Sequence, residues 1–174
     1  SGESSRTRVH QLRGICDGVA VGAGTVLADD PQLTNRTGLG RQPTRVVLDD
    51  KLLIRTDARL VRSAPAVPVL VATTHESMRE LPERVQELRE RGAEVLSLPA
   101  REGGIELGAL LDELGRREWT RLLVEGGAKV LGSCLREDLV DELQVYLAPR
   151  LLGGHEGLPC VSWEEIDQMD HALA

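Results

Sequence analysis

Apolar residues in this chain follow two rhythms, short β-branched runs and stripes at helical spacing, and the two alternate along most of its length. Val9, Leu12 and Cys16 recur at helical spacing with Arg6, Arg8 and Arg13 around them, and Gly18 follows as a stop signal, which predicts a short helix over residues 4–16. Val19-Ala20-Val21 is a brief apolar run broken at Gly22 and Gly24. The polar stretch over residues 29–42, containing Pro and Gly, then reads as a long loop. A loop of that length beside a glycine turn is more often functional than idle.

Strands and helices alternate from Arg45 onward. Arg45-Val46-Val47-Leu48-Asp49 and residues 67–72 are short β-branched-rich runs bounded by Pro and Asp, the signature of buried strands. Residues 82–91 carry Val85 and Leu88 on one face, with Pro82 suited to a first helical position and Gly92 to the C-terminal cap, so a helix is expected there. Residues 94–98 form a further strand. Leu107, Leu110, Leu111 and Leu114 mark a helix stopped by Gly115, and Leu122-Leu123-Val124 a strand leading into Gly126-Gly127. Val130, Leu131 and Leu135 make another helical stripe, and Leu143, Val145 and Leu147 then alternate with Gln144 and Tyr146 as a strand. Residues 161–174 read as a short acidic helix or tail, with Trp163, Ile166 and Met169 at helical spacing. This alternation predicts an α/β fold of three layers, a mostly parallel sheet with helices on both faces.

Composition narrows the picture. A chain of 174 residues fits one domain, and with Phe absent and only two Trp and one Tyr, its core must be built from Leu, Val, Ile and Ala. A formal charge of −7 removes the broad attraction that drives nonspecific nucleic-acid binding, while a local arginine cluster can still hold a small anion. Cys16, Cys134 and Cys160 are odd in number and lack a CxxC pair, which supports neither a disulfide framework nor a zinc site. His10, His75, His155 and His171 stand without ligand spacing, and no metal is expected. No apolar run approaches the roughly 20 residues that span a bilayer, and Ser1-Gly2-Glu3-Ser4-Ser5 is not a secretory signal, so a cytoplasmic protein without a membrane partner is expected.

In an open parallel sheet, ligands gather at the carboxyl ends of strands, where glycine admits close backbone approach and a following helix offers N–H groups. Two places meet that description, Gly22-Ala23-Gly24-Thr25 and Glu125-Gly126-Gly127-Ala128-Lys129. Neither is a dinucleotide-binding fingerprint, because Leu27 stands where the first would need its third glycine and the second has only adjacent glycines; the P-loop spacing is also missing. Taken singly, these glycines can simply close tight strand-to-helix turns, Asp29-Asp30 can end a helix, and Arg13 and Arg36 can be solvated surface arginines.

The pieces together say more. Val21 to Pro31 continuing through Gln32-Leu33-Thr34-Asn35-Arg36, then Arg45-Val46-Val47-Leu48-Asp49 and Leu123-Val124-Glu125-Gly126-Gly127-Ala128 stand in order. Leu139-Val140-Asp141-Glu142-Leu143, Tyr146-Leu147-Ala148-Pro149 and Leu151-Leu152-Gly153-Gly154 follow. Over residues 9–154 the chain closely resembles the RibD-type C-terminal reductase family, which has a dihydrofolate-reductase-like fold. The resemblance implies NADPH-dependent reduction of 5-amino-6-(5-phosphoribosylamino)uracil, the ribosyl side chain becoming ribityl. On the matching positions it implies that Thr25 and Asp29 contact NADP, and that Gly127, Ala128, Lys129, Val130, Leu131, Gly132 and Ser133 hold the cofactor's phosphates. Arg13, Leu33, Arg36 and Glu125 fall where the family contacts the phosphorylated pyrimidine substrate.

Those residue types suit the chemistry. Hydride transfer needs the two reacting carbons held close with water excluded, so positioning groups are the machinery. Arginine grips a phosphate through several N–H donors, a strand-end Glu can hold a sugar hydroxyl or ring N–H, and Asp29 is expected to set the nicotinamide end and act as the catalytic proton relay. The family's first strand, with a Ser-Leu-Asp-Gly-like motif, a following Trp, its final strands and its frequent zinc deaminase partner have no match in this sequence. A single reductase domain over residues 1–174 is therefore expected, lacking those first and final strands. The alternatives are a non-catalytic nucleotide-binding or assembly relative, or a reductase of a related pterin or pyrimidine. Relatives of this fold often pair, so a homodimer is expected.

Overall fold

The computed structural model describes residues 2–101, 104–147 and 159–162. In chain order the elements are α1 (Glu3–Ile15), β1 (Gly18–Gly22), α2 (Ala23–Asp29), β2 (Thr44–Leu48), α3 (Arg59–Arg62), β3 (Val69–Thr74), α4 (His75–Glu80), α5 (Pro82–Glu90) and β4 (Glu94–Leu98). A small antiparallel pair, β5 (Ala100–Arg101) and β6 (Gly104–Ile105), leads into α6 (Leu107–Arg116), β7 (Leu122–Gly126) and α7 (Ala128–Arg136).

The main sheet runs β4-β3-β2-β1-β7, with all neighbours parallel. Its register keeps side chains in phase from strand to strand: Ala20 stands opposite Val46, and Val46 opposite Leu70. Because successive residues point to opposite faces, the sheet divides its apolar residues between two cores. Val19, Val21, Val47, Val69, Val71 and Val95 pack with Val26 of α2, Leu60 and Val61 of α3, and Val85 and Leu88 of α5. Ala20, Val46, Leu70 and Ala72 pack on the other face with Leu110 and Leu114 of α6 and with Trp119. Helices therefore cover both faces, the three-layer arrangement expected. Every residue of β1 and β3 is buried, which explains why both read as continuous apolar runs rather than alternating ones.

At the amino ends of β1 and β7 the sheet is closed by Asp17, whose carboxylate accepts from Thr120 N at 2.8 Å, Arg121 N at 2.9 Å and Arg41 Nη2 at 2.6 Å. Partial desolvation pushes its pKa up, and these donors more than offset that, leaving it below the ordinary carboxylate value. Beyond β2, the fully buried Asp49 accepts from Leu53 N and Ile54 N, both at 2.8 Å, and fixes the turn that returns the chain to the core. Burial pushes the Asp49 carboxyl up despite those donors.

Several expectations need correction. The alternating residues 143–147 form no strand: Leu143, Val145 and Leu147 are 60%, 68% and 91% exposed. Alternation marks a segment able to pair, but a strand exists only where a neighbour completes the ladder, and none does among the described residues. Helix α6 runs through Gly115 to Arg116, since a glycine one residue from a helix end costs little. The chain after Gly22 enters a helix, α2, before the long loop begins, and α3 and α4 are further short helices that the pattern did not predict. The expected acidic helix or tail over residues 161–174 lies outside the described residues apart from Val161 and Ser162, as do Ala148-Pro149 and Leu151-Leu152-Gly153-Gly154.

Candidate active site

The two glycine turns lie on adjacent strands, at the carboxyl ends of β1 and β7. Along this pair Ala20 faces Val124 but Val21 faces Gly126, so Glu125 is an inserted bulge residue. A bulge at a strand end re-aims its side chain, a device common beside active sites. The turns themselves touch. A methyl on Gly127, which holds φ +90°, would sit 3.4 Å from Gly22 N, and one on Gly126 would sit 3.4 Å from Thr25 Oγ1. Glycine is favoured at Gly127 by its positive-φ backbone conformation, and the seam between the two turns carries no side chain of its own.

Helix α7 starts at this seam. Its first helical bond runs from Leu131 N to Gly127 O, so the N–H groups of Ala128, Lys129 and Val130 precede it and remain available to an anion. The Lys129 side chain is exposed; Ala128, Val130, Leu131 and Ser133 are half-buried, and Gly132 is buried. Thr25 lies in the first turn of α2, half-buried beside Gly126. Asp29 ends the same helix on the same face four residues on, about 6 Å along the axis, and is exposed. This is a cradle a nicotinamide dinucleotide fits: a side-chain-free seam, a helix start offering N–H donors, a hydroxyl and a carboxylate.

Of the four residues expected to contact substrate, two meet at the bulge. Arg13, in the last turn of α1, binds Glu125 at two points, Nε to Oε1 at 2.6 Å and Nη2 to Oε2, and donates Nη1 to the Thr34 carbonyl at 3.0 Å. Both side chains are mostly buried, at 12% and 15% exposure, so the pair is screened far less than a surface pair. His10 Nδ1 also meets Thr34 O, at 3.1 Å. Leu33, at φ +54° and 4% exposed, drives its side chain into the sheet's core, which leaves only its backbone toward a ligand. Arg36 is exposed and donates to Gln32 Oε1 at 3.0 Å. It lines a groove with His10, Gly14 and Thr37 between α1 and the loop. Arg13 and Glu125 are thus brought together, whereas Arg36 shows no contact with either.

The loop over residues 30–43 is fastened by side chains in place of secondary structure. Asn35 and Gln42 clamp its ends through Asn35 N to Gln42 Oε1 at 2.9 Å and Gln42 Nε2 to Asn35 O at 2.8 Å. The Asn35 amide donates to Leu39 O, and its Oδ1 accepts from Thr37 N at 2.9 Å. His10, Thr34, Asn35 and Gln42 are participants the sequence pattern did not single out. His10 stands three residues before Arg13 on one helical face, a spacing that was visible. Thr34 takes part through its carbonyl, for which no side-chain signal exists.

The RibD C-terminal domain family matches this chain over residues 1–173. The chain is 39% identical over 176 residues to the 2,5-diamino-6-ribosylamino-4(3H)-pyrimidinone 5′-phosphate reductase of Methanothermobacter thermautotrophicus, covering 99% of this chain and 78% of that protein. It is 35% identical over 173 residues to the riboflavin biosynthesis protein RibD of Actinobacillus pleuropneumoniae, covering 99% of this chain and 45% of that one. Its fold superposes on Acinetobacter baumannii RibD with a TM-score of 0.81 at 28% identity, covering 100% of this chain and 46% of the other. The chain thus spans about half the length of the RibD proteins it matches. On a match that runs almost from end to end, the chain belongs to the RibD C-terminal domain family.

Proposed function

We propose that this domain reduces a phosphoribosylaminopyrimidine with a nicotinamide cofactor, converting the ribosyl side chain of 5-amino-6-(5-phosphoribosylamino)uracil to the ribityl one with NADPH. The observation that carries this reading is the contact between the two glycine turns beside the Arg13–Glu125 pair. It brings a glycine seam and a polar, mostly buried ion pair to the ends of the same two strands, which supports a cofactor and a substrate bound side by side. The names of the relatives support the same substrate class.

When bound, the cofactor supplies the hydride. The chain's own residues position and protonate. Gly126 and Gly127 admit the cofactor to the backbone, and the N–H groups of residues 128–130 hold its phosphates at the start of α7, where the helix dipole favours negative charge. The Thr25 hydroxyl orients the nicotinamide end, and Asp29 relays the proton that accompanies the hydride. Glu125 accepts from a sugar hydroxyl or ring N–H with lone pairs that Arg13 leaves free, while the two-point contact with Arg13 keeps that carboxylate aimed. Arg36, with an exposed guanidinium, takes the substrate phosphate together with Arg13. The Leu33 backbone contributes to the substrate wall.

The Methanothermobacter relative is named for a pyrimidinone that carries an amino group where the uracil has a carbonyl. Turnover of each compound with NADPH and with NADH, followed as loss of absorbance at the reduced-nicotinamide band, tests substrate and cofactor together. Faster oxidation with the uracil and NADPH is expected; preference for the diamino compound or for NADH would move the assignment to that pair. We take the domain to act as a cytoplasmic homodimer without a nucleic-acid partner. The charge of −7 supports the last point, and the exposed apolar Leu143, Val145 and Leu147 support self-association. Sedimentation at equilibrium decides the mass.

A further inference from the structure

Arg45 is the largest fully buried side chain of the core, at 0% exposure, and it stands on the sheet face between Val19 and Val69. An arginine in such a place is ordinarily paired with a carboxylate. Among the described residues this one meets neutral oxygens alone: Ser63 Oγ at 2.6 Å, Val67 O, Gln32 O at 3.4 Å and Pro68 O at 3.5 Å. Burial lowers its pKa to about 10, which leaves it cationic at neutral pH. A hydrophobic side chain of similar volume would fill the space without the desolvation penalty, so packing alone does not account for the guanidinium.

Its acceptors account for it. They belong to two segments that no strand pairing connects, the loop over residues 30–43 and the turn over residues 63–68. Ser63 Oγ lies 2.9 Å from Arg59 O, and Arg59 N, at the start of α3, donates to Asp30 Oδ1 at 2.8 Å. Asp30 itself is held at φ +41°, directly after α2. The chain of contacts runs from Arg45 through Ser63 and Arg59 back to Asp30, while Arg45 grips Gln32 directly. One brace therefore holds the loop at two points, immediately before Leu33, Thr34 and Arg36. Thr34 is the residue whose carbonyl steadies Arg13.

We propose that Arg45 is a positioning residue, which with Ser63 and Asp30 fixes the loop that presents Leu33, Thr34 and Arg36 to the substrate, a role that rests on the reductase activity proposed above. It touches neither substrate nor cofactor and acts through the loop. Loss of the brace lets the loop sample other positions, so the effect falls on the substrate. The phosphate end of the cofactor cradle, at the seam of β1 and β7 and the start of α7, is left as it was.

Two mild variants, Ser63→Ala and Asp30→Ala, test this beside Arg45→Met and Arg45→Lys. Well below the unfolding midpoint, Ser63→Ala and Asp30→Ala are expected to raise the substrate KM about 5- to 30-fold. The cofactor KM and kcat should stay within about twofold, and Arg45→Lys should lie between Arg45→Met and the parent. Amide exchange of residues 32–36 should accelerate in both mild variants while exchange in β2 and β3 stays unchanged. If Arg45→Met does not fold, the two mild variants decide the matter alone. An unchanged substrate KM with unchanged exchange at residues 32–36, or equal losses for substrate and cofactor, would overturn the brace. Exchange needs no turnover: a parent domain that oxidises no NADPH would remove the reductase reading, and the exchange pattern would still support or refute the brace.

Discussion

Arg13 and Glu125 lie 112 residues apart in sequence, yet their side chains meet at two points beneath the carboxyl end of the sheet. Helix α1 delivers one and a β-bulge in β7 delivers the other. Their contact joins the loop over residues 30–43, through Thr34, to the strand that leads into the Gly126-Gly127 turn.

Glu125→Gln keeps the shape and removes the charge. A hydrogen bond to a charged group contributes about 1.5–3 kcal/mol, so kcat/KM for the pyrimidine should fall roughly 10- to 150-fold. Arg13→Met should do at least as much, because it leaves Glu125 unpaired. Steady-state kinetics with substrate and cofactor varied separately check this, and a loss confined to the cofactor KM would contradict it.

Gly127→Ala places a side chain at φ +90°, at a cost of about 1–2 kcal/mol. The same methyl would stand in van der Waals contact with Gly22 N and take up space in the seam. The midpoint of thermal unfolding should drop by roughly 2–8 °C, and the cofactor KM should rise while the substrate KM holds. Titration of NADPH by its fluorescence measures the binding effect without turnover.

Stability should respond to acid through Asp17 and Asp49 in opposite senses. The folded-state pKa of Asp17 is depressed, so its contribution is present above the unfolded value of 3.8 and is lost as pH falls through the folded value. Asp17→Asn should therefore destabilise near neutral pH and flatten the loss of stability below about pH 4. Asp49 is raised by burial, so stability falls as pH rises from 3.8 through its folded value. Asp49→Asn should remove that slope and weaken the turn it caps by about 1–3 kcal/mol. Thermal midpoints measured across the acid range separate the two.

Much of the sheet was legible because β1, β2 and β3 are largely buried on both faces and read as short apolar, Val-rich runs. The strand expected over residues 94–98 coincides with β4, and Arg45 to Asp49 overlaps β2 to within one residue. Both glycine turns were legible for the same reason, each interrupting such a run. Helix α2 was not, since Gly22 and Gly24 at its start carry no periodic pattern. Residues 143–147 alternate as a strand should, but alternation cannot say whether a partner is present. In the site, the sequence singled out Thr25, Glu125 and Gly127, which lie at one end of the sheet, while the pairing of Arg13 with Glu125 is a product of topology. Arg45 read as the first residue of a strand, and nothing local marks an arginine that will be buried against carbonyls.

The most direct measurement of the central claim is NADPH oxidation by the domain with 5-amino-6-(5-phosphoribosylamino)uracil, run beside Glu125→Gln and alongside NADPH binding. Substrate-dependent oxidation that collapses in Glu125→Gln while NADPH binding persists is the predicted result. A folded domain that binds NADPH and oxidises none with either phosphoribosylaminopyrimidine would contradict it.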